Sequence, residues 1–246
     1  VLTTGDVAER DRFQPIREIL YRKRAERNWP ARDDKQILSW NALAIRGLAE
    51  AAFTFGRKDW LETAHSVADF AWDAFSAEEH GGNLKSVAYP GSGATGSAFL
   101  TDYAGLIEAA LALAAYVDWI EPGRARVWIE RAARLMDTVF ERFGDAHGVG
   151  YFFTPDDRKD LVVRKKEWFD NAVPSGNSSL VHGLAQLSAL LPENRRYADA
   201  LNQLAPAYRA YAERAPSAVA HALSGLTQHA LGIVVIKAKG AGDLEP

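Results

Sequence analysis

The sequence predicts an all-α fold: helical hairpins of the (α/α)6 toroid type, forming an incomplete ring within a single domain spanning residues 1–246. Three observations predict it. Two kinds of helical stretch alternate along the chain, the outer kind repeats in sequence, and strand signals are weak.

The first kind of stretch is small and apolar all round. It covers Asn41 to Phe55, Asp102 to Val117, Asn177 to Leu191 and Ser217 to Val234. A helix apolar on every side is buried on every side, so these are inner helices. The second kind carries charge on one face only: Trp60 to Phe75, Arg124 to Phe143 and Arg195 to Arg214. One solvated stripe marks an outer helix, and Asp11 to Arg27 reads as a further one.

The outer helices repeat. Trp60 recurs as Trp128, Glu62 as Glu130, Ala64 as Ala132, Asp69 as Asp137, Phe75 as Phe143 and Gly82 as Gly150, each 68 positions on. The unit is therefore an inner helix, an outer helix and their loops. A closed ring of six units needs roughly 400 residues at this period, and about three and a half are present. Stacked pairs in an open solenoid are the alternative. Gly81-Gly82-Asn83-Leu84 and Gly148 to Phe153 follow outer helices and read as short hairpins or extended loops.

Composition narrows the function. Of 246 residues, 48% are hydrophobic, as expected of a globular chain, and no apolar run approaches the roughly 20 residues that cross a bilayer. The net charge of -3 comes from both signs scattered along the chain, so there is no basic patch for nucleic acid. The absence of Cys excludes disulfides, thiolate metal sites and thiol catalysis here, and fits a reducing, cytoplasmic setting. The chain opens at Val1 instead of Met and closes abruptly at Gly242 to Pro246, as a piece cut from a longer protein does.

Polar motifs gather just before the inner helices. Asp33-Asp34-Lys35 leads to Trp40-Asn41; Asp102-Tyr103 opens the second; Arg164, Lys166 and Asp170 precede Pro174-Ser175-Gly176-Asn177. Asp34, Asp102 and Asp170 share the 68-residue interval. If the inner helices ring an axis, their leading ends converge on one mouth. There Asp34, Asp102 and Asp170 are candidate acid and base groups. Trp40 and Tyr103 offer flat apolar faces to a sugar. Arg164 and Lys166 could hold an anion, while Asp33, Lys35, Asn41, Ser175 and Asn177 complete the candidate binding set. Each also has a plain structural reading: Asp102, Ser175 and Asn177 as helix caps, the Asp33 turn as solvated surface, and Trp40 as core.

The remaining motifs are weaker signals. Pro90 to Gly96 contains a formal G-x-G-x-x-G but lacks the strand–turn–helix context of a dinucleotide site, and reads as a flexible loop, a lid over the mouth. The six His show no metal spacing, so no metal or cofactor is expected. His182 and His221 lie in inner helices where a ring can face the axis or sit hydrogen-bonded in the core.

At the motifs Asp33-Asp34-Lys35…Trp40-Asn41, Phe99-Leu100-x-Asp102-Tyr103-Ala104 and Arg164-x-Lys166-x-x-x-Asp170-x-Ala172-x-Pro174-Ser175-Gly176-Asn177 the chain resembles a known family. It is similar to the C-terminal helical region of the thioredoxin-domain-containing family typified by bacterial YyaL and animal spermatogenesis-associated protein 20. The resemblance implies a toroid like those of six-hairpin glycosidases and N-acylglucosamine 2-epimerases, with a thioredoxin-like domain outside this chain. Thr101 stands where the family usually has an acidic residue, and Ala42 where it usually has Gly. Two functions follow as expectations: a sugar or sugar-conjugate pocket with acid–base chemistry, or a non-catalytic peptide- or protein-binding module working with the thioredoxin-like domain.

Overall fold

The structure is a computed structural model that describes residues 7–76, 83–158 and 160–235, with side chains from residue 11. Gly81 and Gly82, and with Gly82 its match to Gly150, lie outside the described residues, as do the two chain ends. The chain divides into two compact units, Val1–Asp34 and Lys35–Pro246. The first carries helix α1 (Val7–Ala25), which includes Pro15.

The second unit holds the repeat. Helices α2 (Leu38–Thr54), α4 (Leu100–Tyr116), α6 (Gly176–Leu190) and α8 (Ala220–Leu231) pack in that order as an inner row. Helices α3 (Lys58–Phe75), α5 (Ala125–Arg142) and α7 (Arg195–Ala212) back them as an outer row. All seven fall where the alternation of apolar and one-sided stretches predicts. Inner helices approach closely because small residues meet at their crossings. A Cβ on Gly183 of α6 would stand only 2.8 Å from Ile107 Cγ2 of α4.

The repeated outer residues perform repeated tasks. Ala64 and Ala132, like Phe75 and Phe143, are buried in the core. Asp69 of α3 pairs with Arg131 of α5 at 2.7 Å, and Asp137 of α5 pairs with Arg196 of α7 at 3.1 Å. Each outer helix is thereby fastened to the next by its repeated aspartate. Single β-bridges follow α3 and α5, Ser76 to Leu84 and Gly144 to Tyr151, again in step with the repeat.

Two sequence readings change. The Pro90 to Gly96 segment is not a loose loop: it is the tip and second strand of a hairpin. Strand β2 (Lys85–Tyr89) pairs with β3 (Gly93–Ser97), and β1 (Gln36–Ile37) joins the other edge of β2. Backbone pairing supplies the order that its short side chains do not advertise. Second, Leu100–Trp119 does reach 20 residues at a mean hydropathy of 1.3, but 78% of that window is buried inside the protein. Its apolar surface is satisfied by α2, α5 and α6.

Candidate functional site

The N-terminal ends of the inner helices are bound up in backbone ties. Asp102 is buried; its Oδ2 accepts the N–H of Phe99, the cap of its own helix, at 2.9 Å, and its Oδ1 accepts the N–H of Ser39 in α2 at 3.1 Å. Burial pushes its carboxyl above the ordinary value, and donation from Phe99 and Ser39 offsets only part of that. Half-buried Asp170 is arranged alike, accepting Ser175 N–H at 3.0 Å and His221 N–H at 3.1 Å. Ser175 Oγ caps α6 by accepting Ser178 N–H. Asn177 is fully buried: its Oδ1 accepts Tyr151 N–H at 2.8 Å, and its Nδ2 donates to Tyr151 O and Glu167 O. Asn41 Nδ2 donates to Ile37 O at 2.8 Å.

The other predicted residues divide between core, surface and loop pins. Tyr103 is buried, its hydroxyl accepting Leu84 N–H at 2.9 Å and its ring edge-on to Phe143. Arg164 lies over Phe152 and donates to the carbonyls of Thr154 and Arg142. Lys166 pairs with Asp145 at 2.6 Å and donates to Val149 O at 2.7 Å. Trp40 is 63% exposed. Asp33 and Lys35 are exposed, and exposed Asp34 pairs with Arg32 in the first unit. Apart from Trp40, the motif residues of the second unit that make these contacts are engaged with the protein itself.

Ionisable groups converge within the inner row, from mid-helix in α2, α4 and α6 and from the first turn of α8. Arg46 lies on α2, Glu108 on α4, His182 on α6 and His221 on α8. Arg46 Nη1 donates to Glu108 Oε1 at 2.6 Å, and His221 Nε2 donates to the same oxygen at 2.9 Å. Chains from the first and last helices of the row thus meet on the second, so the row is curved, concave toward this set. His182 Nε2 donates to the His221 carbonyl at 2.8 Å, and the two rings stack with centroids 4.3 Å apart. At 1.5 Å of rise per residue, Glu108 and His182 sit about 10 Å below their helix starts.

The electrostatics follow from burial and partners. Burial alone would raise the Glu108 carboxyl, but the hydrogen bond from His221 and the charge of Arg46 outweigh it and hold Glu108 below the ordinary carboxylate value. Burial lowers His182, with nearby Glu108 opposing. Each Nε2 is committed as a donor, so a neutral ring carries its lone pair on Nδ1.

Glu108 and Arg46 were missed at the sequence level. The readable signal was a lone carboxylate in the middle of Leu106-Ile107-Glu108-Ala109-Ala110, since an ionisable group in an all-apolar helix needs a partner or a purpose.

No family model matches the chain. Spermatogenesis-associated protein 20 of Rattus norvegicus is 32% identical over 181 residues, which is 70% of this chain and 22% of the relative. The matched stretch is similar to a part of spermatogenesis-associated protein 20. It spans about a fifth of the length of that protein, and its Mus musculus counterpart matches in the same way, at 32% over 178 residues. The uncharacterized protein B0495.5 of Caenorhabditis elegans is 30% identical over 194 residues, 76% of this chain and 25% of that protein.

Among solved structures, a glycoside hydrolase of family 105 from C. acetobutylicum superposes with a TM-score of 0.56 at 13% identity, over 80% of this chain and 56% of the hydrolase. Cellobiose 2-epimerase from Spirochaeta thermophila gives 0.54 at 17% identity, over 73% and 44%. A sugar epimerase from a ruminal bacterium gives 0.53 at 14% identity, over 68% and 42%. These likenesses establish the fold, that of the (α/α)6 glycosidase and epimerase toroids.

Proposed function

We propose that the concave face of the inner row binds a sugar-like ligand and that His182 and His221, positioned by Glu108 and Arg46, perform acid–base chemistry on it. The observation that carries this reading is the meeting of one ionisable side chain from each of four inner helices. Carbohydrate-active proteins sharing the fold lend weight by analogy.

Epimerase-like chemistry is favoured over hydrolysis. The usual glycosidase flanks the scissile bond with two carboxylates roughly 5–9.5 Å apart. The four-residue set has one carboxylate and two imidazoles, and imidazole suits removal and return of a proton near neutral pH. In this reading the Nδ1 of one ring takes a proton from the carbon beside a sugar carbonyl, and the proton later returns to that carbon. Glu108, held by Arg46, fixes the His221 ring through its Nε2–H.

The test is to incubate the chain with aldoses, acylamino sugars and disaccharides in deuterium oxide and follow exchange at that carbon by NMR. Exchange should occur with at least one sugar and vanish in His182→Gln and His221→Gln. No exchange and no thermal stabilisation by any sugar would refute the proposal.

A second reading, a non-catalytic module that binds a peptide or protein beside a thioredoxin-like domain, draws support from one finding. Asp102, Asp170, Ser175 and Asn177 all serve as caps and ties. On that reading, substituting them lowers the melting temperature and changes no ligand affinity.

A further inference from the structure

Glu108, His182 and His221 each present a ligand atom, and the three atoms lie within 4.8 Å of one another. Glu108 is 3% exposed, and while its Oε1 is taken by Arg46 and His221, its Oε2 is buried without a hydrogen-bond partner. A buried carboxylate oxygen with no donor is costly, and a cation supplies what it lacks. Two imidazoles and one carboxylate, with a coordination position to spare, are a ligand set suited to zinc.

From this geometry we infer that Glu108, His182 and His221 form a site for a divalent cation of the zinc class. Around a tetrahedral ion with ligands at about 2.1 Å, neighbouring ligand atoms stand about 3.4 Å apart. The Nδ1 of a ring whose Nε2–H points at Glu108 faces away from that carboxylate, so the ion takes His221 Nε2 in place of its hydrogen bond to Glu108. The partly exposed edges of His221 and Arg46 give access from the concave face. Arg46, hydrogen-bonded to the carboxylate, acts as an outer-shell donor that orients Glu108, while its charge weakens cation binding. The ion occupies ring lone pairs, so a loaded site cannot carry the proton of the proposed chemistry. Zinc is accordingly an inhibitor of that chemistry, and the site itself does not depend on the sugar reading.

The experiment is calorimetric titration of zinc chloride into the chain, without a histidine tag, with the visible spectrum of added cobalt(II) as an independent readout. The expected result is one ion per chain and the intense bands of tetrahedral cobalt. Both should be lost in Glu108→Gln and His221→Gln variants whose circular dichroism matches the wild type. Arg46→Gln, by removing a repelling charge, should bind zinc about tenfold tighter. If His182→Gln does not fold, the partly exposed His221 and the Arg46 variant still decide the matter. Absence of binding at millimolar zinc overturns the inference. So does binding that persists unchanged in the Glu108 and His221 variants, or that fails to tighten in Arg46→Gln.

Discussion

Asp102 and Asp170, 68 positions apart, do the same work: each carboxylate accepts one N–H from the lead-in to its own inner helix and one from the start of a neighbouring inner helix. Asp102 joins α4 to α2, and Asp170 joins α6 to α8. For these two residues the interval marks a shared structural joint between inner helices.

Replacing Asp102 by Ala leaves two backbone N–H groups without their acceptor and should cost about 2–3 kcal/mol, read as a fall in urea midpoint. Asp102→Asn should cost less. Because the folded carboxyl is raised by burial, its stabilising contribution is complete below the ordinary value of 3.8 and is lost as pH rises through the higher folded value. Thermal melts across mildly acidic pH should show wild type losing ground to Asp102→Asn as pH climbs.

Asn177 donates to two carbonyls and accepts one N–H in a fully buried setting. Asn177→Asp swaps the donor for an acceptor and buries a charge, so a loss of about 3 kcal/mol is expected. Denaturant unfolding measures it, and Asn177→Ala should fall in the same direction.

Gly150 adopts φ +81°, and the Trp168 ring lies directly where a Cβ would project. Gly150→Ala combines backbone strain with a clash and should destabilise by about 2–3 kcal/mol. A changed Trp168 environment should appear in the near-ultraviolet circular dichroism.

The Asp69 cluster, which gathers Arg124 and the well-covered Arg131, should show a coupling of about 0.5–1 kcal/mol in a double-mutant cycle of Asp69 with Arg131. The equivalent but more exposed Asp137–Arg196 pair should couple less strongly. Salt should weaken both.

The helical frame was legible because periodicity reports directly on which faces are buried: the Ala- and Leu-rich stretches became α2, α4, α6 and α8, and the one-sided stretches α3, α5 and α7. The hairpin β2–β3 was not, since Gly, Ser, Ala and Lys outnumber its few strand-favouring residues and its order comes from pairing across the chain. The caps at Ser175 and Asp102 were readable as caps. The Arg46–Glu108–His182–His221 set was not readable as a site, because its members are scattered over four helices with Glu108 and His221 113 positions apart. Only the packing of the inner row unites them. The sequence places His182 and His221 where a ring can face the axis, but nothing in their spacing points to Glu108.

Helices α4 and α6 are shielded by neighbours on both flanks, whereas α2 exposes Trp40, Ala44, Gly47 and Glu50, and α8 exposes Ala220, Ser224 and Gln228. Opening therefore costs least at the two margins of the row and most at its centre. Amide protons of α2 and α8 should trade with solvent well before those of α4. A transient loosening at either margin withdraws Arg46 or His221 from Glu108 while the middle of the row stays intact.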